Sequence, residues 1–197
     1  MGGTLVTGAT GFIGSHLAHR LVQRGDDVRL AVMPGASDEP IRDLDAPKVE
    51  CDVLDRRAVK RAVKGMDRVF HCAGVTSVRP RDAVRVFEVN VDGTKTVLEE
   101  CLKADVDRVV LNSSAWALGP AKPGGTADEN QLFTAARLGI PYVSSVHEAE
   151  VEAMRLAAQG LPLVCVNPCV TFGAGDYNVS STRIVRNFLL GRVPMYV

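Results

Sequence analysis

The sequence predicts an α/β fold, a doubly wound parallel sheet with helices on both faces. Three observations carry that reading. Short apolar β-type runs alternate with stretches of helical periodicity, short connections join them, and a glycine-rich turn lies between the first strand and the first helix. At 197 residues with 46% hydrophobic side chains, the chain can build one core, or one domain with part of a second.

Each element follows from its own pattern. Thr4 to Thr7 reads as a short buried strand. Ile13, Leu17 and Leu21 recur at i, i+4 and i+8, a helix that Gly25 stops. Val28 to Met33 is the second strand and Lys48 to Cys51 the third. Ala58, Val59, Ala62 and Val63 form one helix face ended by Gly65, and Arg68 to Cys72 is the fourth strand. A long helix is expected over Asp82 to Ala104, with Phe87, Val91, Thr94, Leu98 and Cys101 on one side. Arg108 to Asn112 is the fifth strand, Tyr142 to Gln159 a helix and Leu163 to Asn167 the sixth strand. Gly119 to Pro141, rich in Pro and Gly, reads as a long loop, either of the kind that carries lids and substrate contacts or a plain surface excursion. Ser180 to Leu190 reads as a final helix.

Composition excludes several functions. The 23 Lys and Arg balance 23 Asp and Glu, so no surplus charge exists to hold a nucleic acid or an acidic membrane. No window approaches the ~18 consecutive apolar residues of a membrane span. Met1 leads straight into a strand, with no basic segment or cleavage site ahead of it. The five cysteines are scattered through apolar surroundings and read as reduced thiols, which points to a cytoplasmic protein. No metal site is expected, because Cys165 and Cys169 lack partners and His16 and His19, three apart on a helix, lack a third ligand. The acids between Glu148 and Ala153 read as a solvated helix face.

The segment Thr7-Gly8-Ala9-Thr10-Gly11-Phe12-Ile13-Gly14 places glycines where a dinucleotide needs them. Gly8 allows a sharp turn, Gly11 lets backbone N–H groups approach a diphosphate, and Gly14 lets the helix pack closely on the sheet. The helix N-terminus adds free N–H donors and a partial positive charge.

Further segments follow in order: Cys51-Asp52-Val53, His71-Cys72-Ala73-Gly74, Asn90-Val91-Asp92-Gly93-Thr94, Ser113-Ser114-Ala115 with Gly119, and Asn167-Pro168 followed by Phe172-Gly173-Ala174-Gly175-Asp176. Together with the glycine turn they resemble the extended short-chain dehydrogenase/reductase family of nucleotide-sugar epimerases, dehydratases and dihydroflavonol reductases. The resemblance implies a small-molecule enzyme that moves a hydride between a nicotinamide and a hydroxyl or ketone carbon of a nucleotide sugar or ketone. It implies a Rossmann domain binding NAD(P) over residues 1–178 and the start of an incomplete C-terminal substrate lobe over 179–197. The cofactor would lie along Gly8, Thr10, Gly11, Phe12, Ile13, Gly14, Asp52, Val53, Ala73, Gly74, Asn90, Tyr142 and Pro168. Tyr142 would be the acid/base, Ser114 would polarise the substrate oxygen with Ser113 beside it, and Asn167 would border the substrate. Relatives also pair two long helices, which implies a homodimer.

Three departures stand out. The family's Tyr is followed four residues later by a Lys that holds the nicotinamide ribose and lowers the Tyr pKa, but four after Tyr142 comes Val146. His147 lies about 100° further round the helix and is a poor substitute. Bringing a free phenol from pKa ~10 towards 7 takes roughly 4 kcal/mol, to which a valine contributes nothing. The departure leaves a second reading open, a sensor or scaffold that binds the cofactor without chemistry. At the end of the second strand, Val32 and Met33 replace the acid that would favour NAD and the Arg that would favour NADP. Arg29 and Arg42 are the nearby cations, and the absence of a carboxylate there favours NADP(H). The third departure is length, since relatives continue into a larger substrate portion.

Overall fold

The computed structural model describes residues 2–176 and 181–192. Six strands, β1 (Gly3–Thr7), β2 (Val28–Val32), β3 (Lys48–Glu50), β4 (Met66–His71), β5 (Arg108–Asn112) and β6 (Leu163–Val166), form one sheet in the order β3-β2-β1-β4-β5-β6. Every neighbouring pair is parallel, with Val6 in register with Leu30 on one side and Phe70 on the other. The helices are α1 (Phe12–Gln23), α2 (Arg56–Val63), α3 (Ala83–Phe87), α4 (Thr94–Lys103), α5 (Pro141–Ala157) and α6 (Thr182–Leu189).

Strand periodicity assigns the two cores. Successive side chains of β1 point to opposite faces. Leu5 joins Val69, Val109 and Leu111 in a core with Val59 and Val63 of α2, Val97, Leu98 and Cys101 of α4, and Ala153 and Leu156 of α5. Val6 faces the other way, into a core with Leu30, Ile41 and Ala18 and Leu21 of α1. Burial on both faces explains why β1 is apolar without alternation. The sixth strand is less covered, with Val164 and Val166 each 42% exposed. The expected domain boundary at 178/179 lies outside the described residues, as does Ser180 of the expected last helix; α6 begins at Thr182.

The expected uninterrupted helix over Asp82 to Ala104 is corrected. A π-helical turn, Glu88–Gly93, joins α3 to α4. The wider turn shifts the phase of the buried stripe to Val86, Val89, Asn90 and Gly93, leaving Phe87 and Val91 only half-buried. The expected loop runs to 140, relieved by a 3₁₀ turn at Ala135–Leu138, and Pro141 opens α5.

His71 ends β4 inside the protein, 1% exposed. Its Nδ1 lies 2.7 Å from Thr7 Oγ1 and its Nε2 3.0 Å from Thr94 Oγ1, so one ring ties β1 to β4 to α4. Burial pushes its pKa down to about 4. The unfolded chain therefore binds a proton that the folded chain refuses between about pH 6.5 and 4. Stability is full above that window and falls as pH drops through it, by roughly 3 kcal/mol in total. Asp26, held below the usual carboxylate range by its bond from Arg24, loses its contribution only at lower pH. Urea denaturation across pH 7.5 to 4 is expected to show this slope, and His71→Asn, though less stable at pH 7.5, to flatten it.

Candidate functional site

The glycine turn, Ala73 and Gly74, Ser113 and Ser114, and Asn167 and Pro168 follow the C-terminal ends of β1, β4, β5 and β6, around the crevice where strand order reverses between β1 and β4. The crevice is set by backbone contact. Gly8 has φ +65°, and a Cβ there would stand 2.6 Å from Ala73 N. A Cβ on Gly14 would stand 2.1 Å from Gly8 O. Gly11 closes the turn, its N–H donating to Gly8 O at 2.9 Å, and serves as N-cap of α1 with no side-chain cap and no acid in the first turn. The first N–H groups of α1 are thus left for an anion, and Thr10, Phe12 and Ile13 stand half-buried beside them. This turn, whose backbone contacts leave no room for a Cβ at Gly8 or Gly14, fits a diphosphate.

The neighbouring walls come from β3, β4 and the π-helical turn. Asp52 Oδ1 accepts the Leu54 N–H at 3.0 Å, fixing the bend after β3. Val53 is buried against Gly93, where a Cβ would meet Val53 Cγ2 at 2.6 Å. Asn90 uses its whole carboxamide. Its Oδ1 accepts the Val75 N–H at 2.8 Å, and its Nδ2 donates to Val75 O and to Ser145 Oγ, each at 2.9 Å. Ala73 and Gly74 lie on the segment so held, half-buried and exposed respectively.

The opposite wall is organised by α5. Tyr142 is half-buried in its first turn, where its carbonyl accepts the Ser145 hydroxyl at 2.9 Å. Val146 is buried. His147 points elsewhere, its Nδ1–H donating to Ala117 O at 2.9 Å and its ring stacked on Phe133 at 3.7 Å. It latches the long loop to α5. Ser114 is buried after β5, and its Oγ accepts the Trp116 N–H at 3.3 Å. Asn167, half-buried after β6, donates from Nδ2 to Ser114 O at 3.1 Å. Pro168 O accepts the Ala115 N–H at 3.0 Å, so the β5–β6 ladder continues past both strands.

The solvated acidic face expected on α5 is corrected at Glu150. It is half-buried, and one carboxylate oxygen accepts both the Ser113 hydroxyl at 2.5 Å and Asn167 Nδ2 at 2.7 Å. The missed signal was position: Glu150 is four residues, about one turn, beyond Val146 and so lies near the buried side of the helix.

Arg29, near the start of β2, and Arg42, after the 3₁₀ turn Glu39–Ile41, both have partners. Arg29 donates to Ala62 O at 2.8 Å and Lys64 O at 2.9 Å, and Arg42 pairs with Glu39 and Asp38. Glu39 and Asp43 line a hollow with Ser15, His16 and His19, and Asp43 holds His19 Nε2 at 3.2 Å. No group of three or more metal-ligating side chains occurs among the described residues. Burial pushes the thiols of Cys72, Cys101 and Cys165 up to about 12, which leaves them unreactive.

A model of the NAD dependent epimerase/dehydratase family matches residues 4–196. Sterol demethylase protein B of Methylococcus capsulatus is 33% identical over 195 residues, covering 98% of this chain and 59% of that protein. The solved structure of gox2253 superposes with a TM-score of 0.91 at 33% identity, over 100% of this chain and 60% of that one. DesIV, a dTDP-glucose 4,6-dehydratase from Streptomyces venezuelae solved with NAD bound, gives a TM-score of 0.83 at 26% identity over 96% and 62%. The chain thus spans 59% to 62% of the length of these proteins.

The cradle makes opposite demands on two glycines. Gly14→Ala gains up to about 1 kcal/mol of helix propensity but drives a methyl into backbone, an overpacking cost of about 1–3 kcal/mol. At Gly11 the same methyl meets Gly8 O at 3.2 Å with φ −78°, a contact that a small shift relieves. Urea denaturation is expected to rank Gly14→Ala clearly below Gly11→Ala in stability.

Proposed function

The chain belongs to the NAD dependent epimerase/dehydratase family, and from that premise we propose that it binds NAD(H) across the C-terminal edge of its sheet and acts on a hydroxyl or ketone carbon of a nucleotide sugar or related ketone. The observation that carries the reading is the cradle of Gly8, Gly11 and Gly14, with the uncapped N-terminus of α1 open to a diphosphate. Asp52 and Val53 would hold the adenine end. Ala73, Gly74, Asn90 and Pro168 would line the path towards the nicotinamide. When bound, the nicotinamide supplies a hydride donor or acceptor. The Tyr142 phenol would give or take the substrate proton, Ser114 would hydrogen-bond the substrate oxygen, and Asn167 would border the substrate.

NAD is the preferred form. Arg29 is spent on backbone carbonyls and Arg42 on carboxylates, so neither is free for a 2′-phosphate, and Glu39 and Asp43 add negative charge beside α1. This turns the sequence-based leaning towards NADP(H) the other way. Calorimetric titration is expected to show NADH binding at least about tenfold tighter than NADPH, a difference of about 1.4 kcal/mol. Equal or reversed affinities remove this argument.

Val146 in place of a lysine supports slow turnover, because no ammonium sits four residues beyond Tyr142 to stabilise its phenolate. Val146→Lys is expected to raise the rate of cofactor oxidation with an accepted ketone or nucleotide sugar by about tenfold or more. An unchanged rate counts against the role given to Tyr142. The same substitution favours a second reading, a protein that binds the cofactor without turning it over. Tight NADH binding with no turnover on a panel of ketones and nucleotide sugars would select that reading.

A further inference from the structure

The carboxylate of Glu150 has no cation paired with it among the described residues, whereas Glu152 on the same helix pairs with Arg155. Removing a carboxylate from water is costly unless its lone pairs are used. Here one oxygen accepts two neutral donors, the Ser113 hydroxyl and Asn167 Nδ2, from the ends of two different strands. Asn167 in turn spends its second amide hydrogen on Ser114 O. A carboxylate only accepts, so it dictates which end of the Asn167 carboxamide faces α5 and turns Oδ1 the other way.

We propose that Glu150 is a positioning residue, which locks the Asn167 carboxamide and the Ser113–Ser114 backbone in one arrangement at the mouth of the crevice. It acts through those groups and touches neither cofactor nor substrate. Helix α5 thereby carries Tyr142 and also sets the strand ends it packs against, so that the acid/base and the substrate-bordering groups are registered by one element. The ligand-binding consequence rests on the cofactor reading above.

Trp116, the single tryptophan, reports on the arrangement without any ligand, because its backbone N–H is bonded to Ser114 Oγ and its half-exposed indole is carried on the turn so held. Glu150→Leu keeps the bulk and removes the acceptor, leaving a hydroxyl and an amide unpaired. Glu150→Gln keeps an oxygen that accepts both bonds. In the ligand-free chain, acrylamide quenching of Trp116 is expected to change by about twofold in Glu150→Leu and to stay near wild type in Glu150→Gln. Titration with NADH and with ADP-ribose then separates the two ends of the cofactor. Glu150→Leu is expected to lose about tenfold in NADH affinity while ADP-ribose binding holds, and Glu150→Gln to restore NADH. Unchanged quenching in Glu150→Leu overturns the proposal, and so does an equal loss for both ligands, the mark of a merely structural residue. If wild type binds neither ligand, the cofactor reading falls and the quenching comparison alone decides for or against Glu150. If Glu150→Leu does not fold, Glu150→Asp, whose shorter stem withdraws the acceptor from both donors, is put through the same comparisons.

Discussion

The close approach of two backbones at the end of β1 governs everything around it. Gly8 turns with positive φ directly against the chain leaving β4, with no room for a Cβ before Ala73. Gly14 brings α1 down onto that same turn. Because β1 and β4 are neighbours whose following segments leave to opposite faces, this contact leaves a crevice between them. The buried His71 sits at the base of the crevice, where Thr7 and Thr94 satisfy both ring nitrogens and burial keeps the ring neutral. The cradle for an anion and the brace beneath it are therefore one construction.

Helix α5 performs a second unifying role through three polar side chains that point to different neighbours. Ser145 meets Asn90 of the π-helical turn, His147 meets the loop after β5, and Glu150 meets the ends of β5 and β6. The π-helical turn makes the first of these contacts reach, because the extra residue per turn rotates Asn90 inward while Gly93 lets Val53 come close. Hydrogen-bonded groups of this kind cost little when fully paired and much when half-paired. The site's walls are therefore tied to one another through α5.

The fold was legible because its determinants are local. Each strand announced itself by a short apolar run and each helix by its period, and the glycine spacing marked the one turn that needs small residues. Boundaries were correct to within two residues for the strands and for the first helix. The long helix before β5 was not, since a π-helical turn leaves no apolar signature and shifts the phase of the stripe. The candidate site was legible as a set of positions at strand ends. Its wiring was not: Glu150 looked like one of several helix acids, and His147 like a neighbour of the missing lysine, until the tertiary partners were in view.

By itself the sequence determined the alternation of strands and helices, the glycine turn and the identity of the residues at the crevice, because periodicity and steric permissiveness are properties of neighbouring residues. Only the tertiary structure decided which of those residues touch. Hydrogen bonds such as Glu150 to Ser113 and Asn167, or Asn90 to Val75 and Ser145, join segments that are far apart along the chain. Arg29 was likewise assigned to the end of α2 by folding, not by its place beside β2. Direction and distance between separate elements arise when the sheet and helices pack, and no local pattern encodes them.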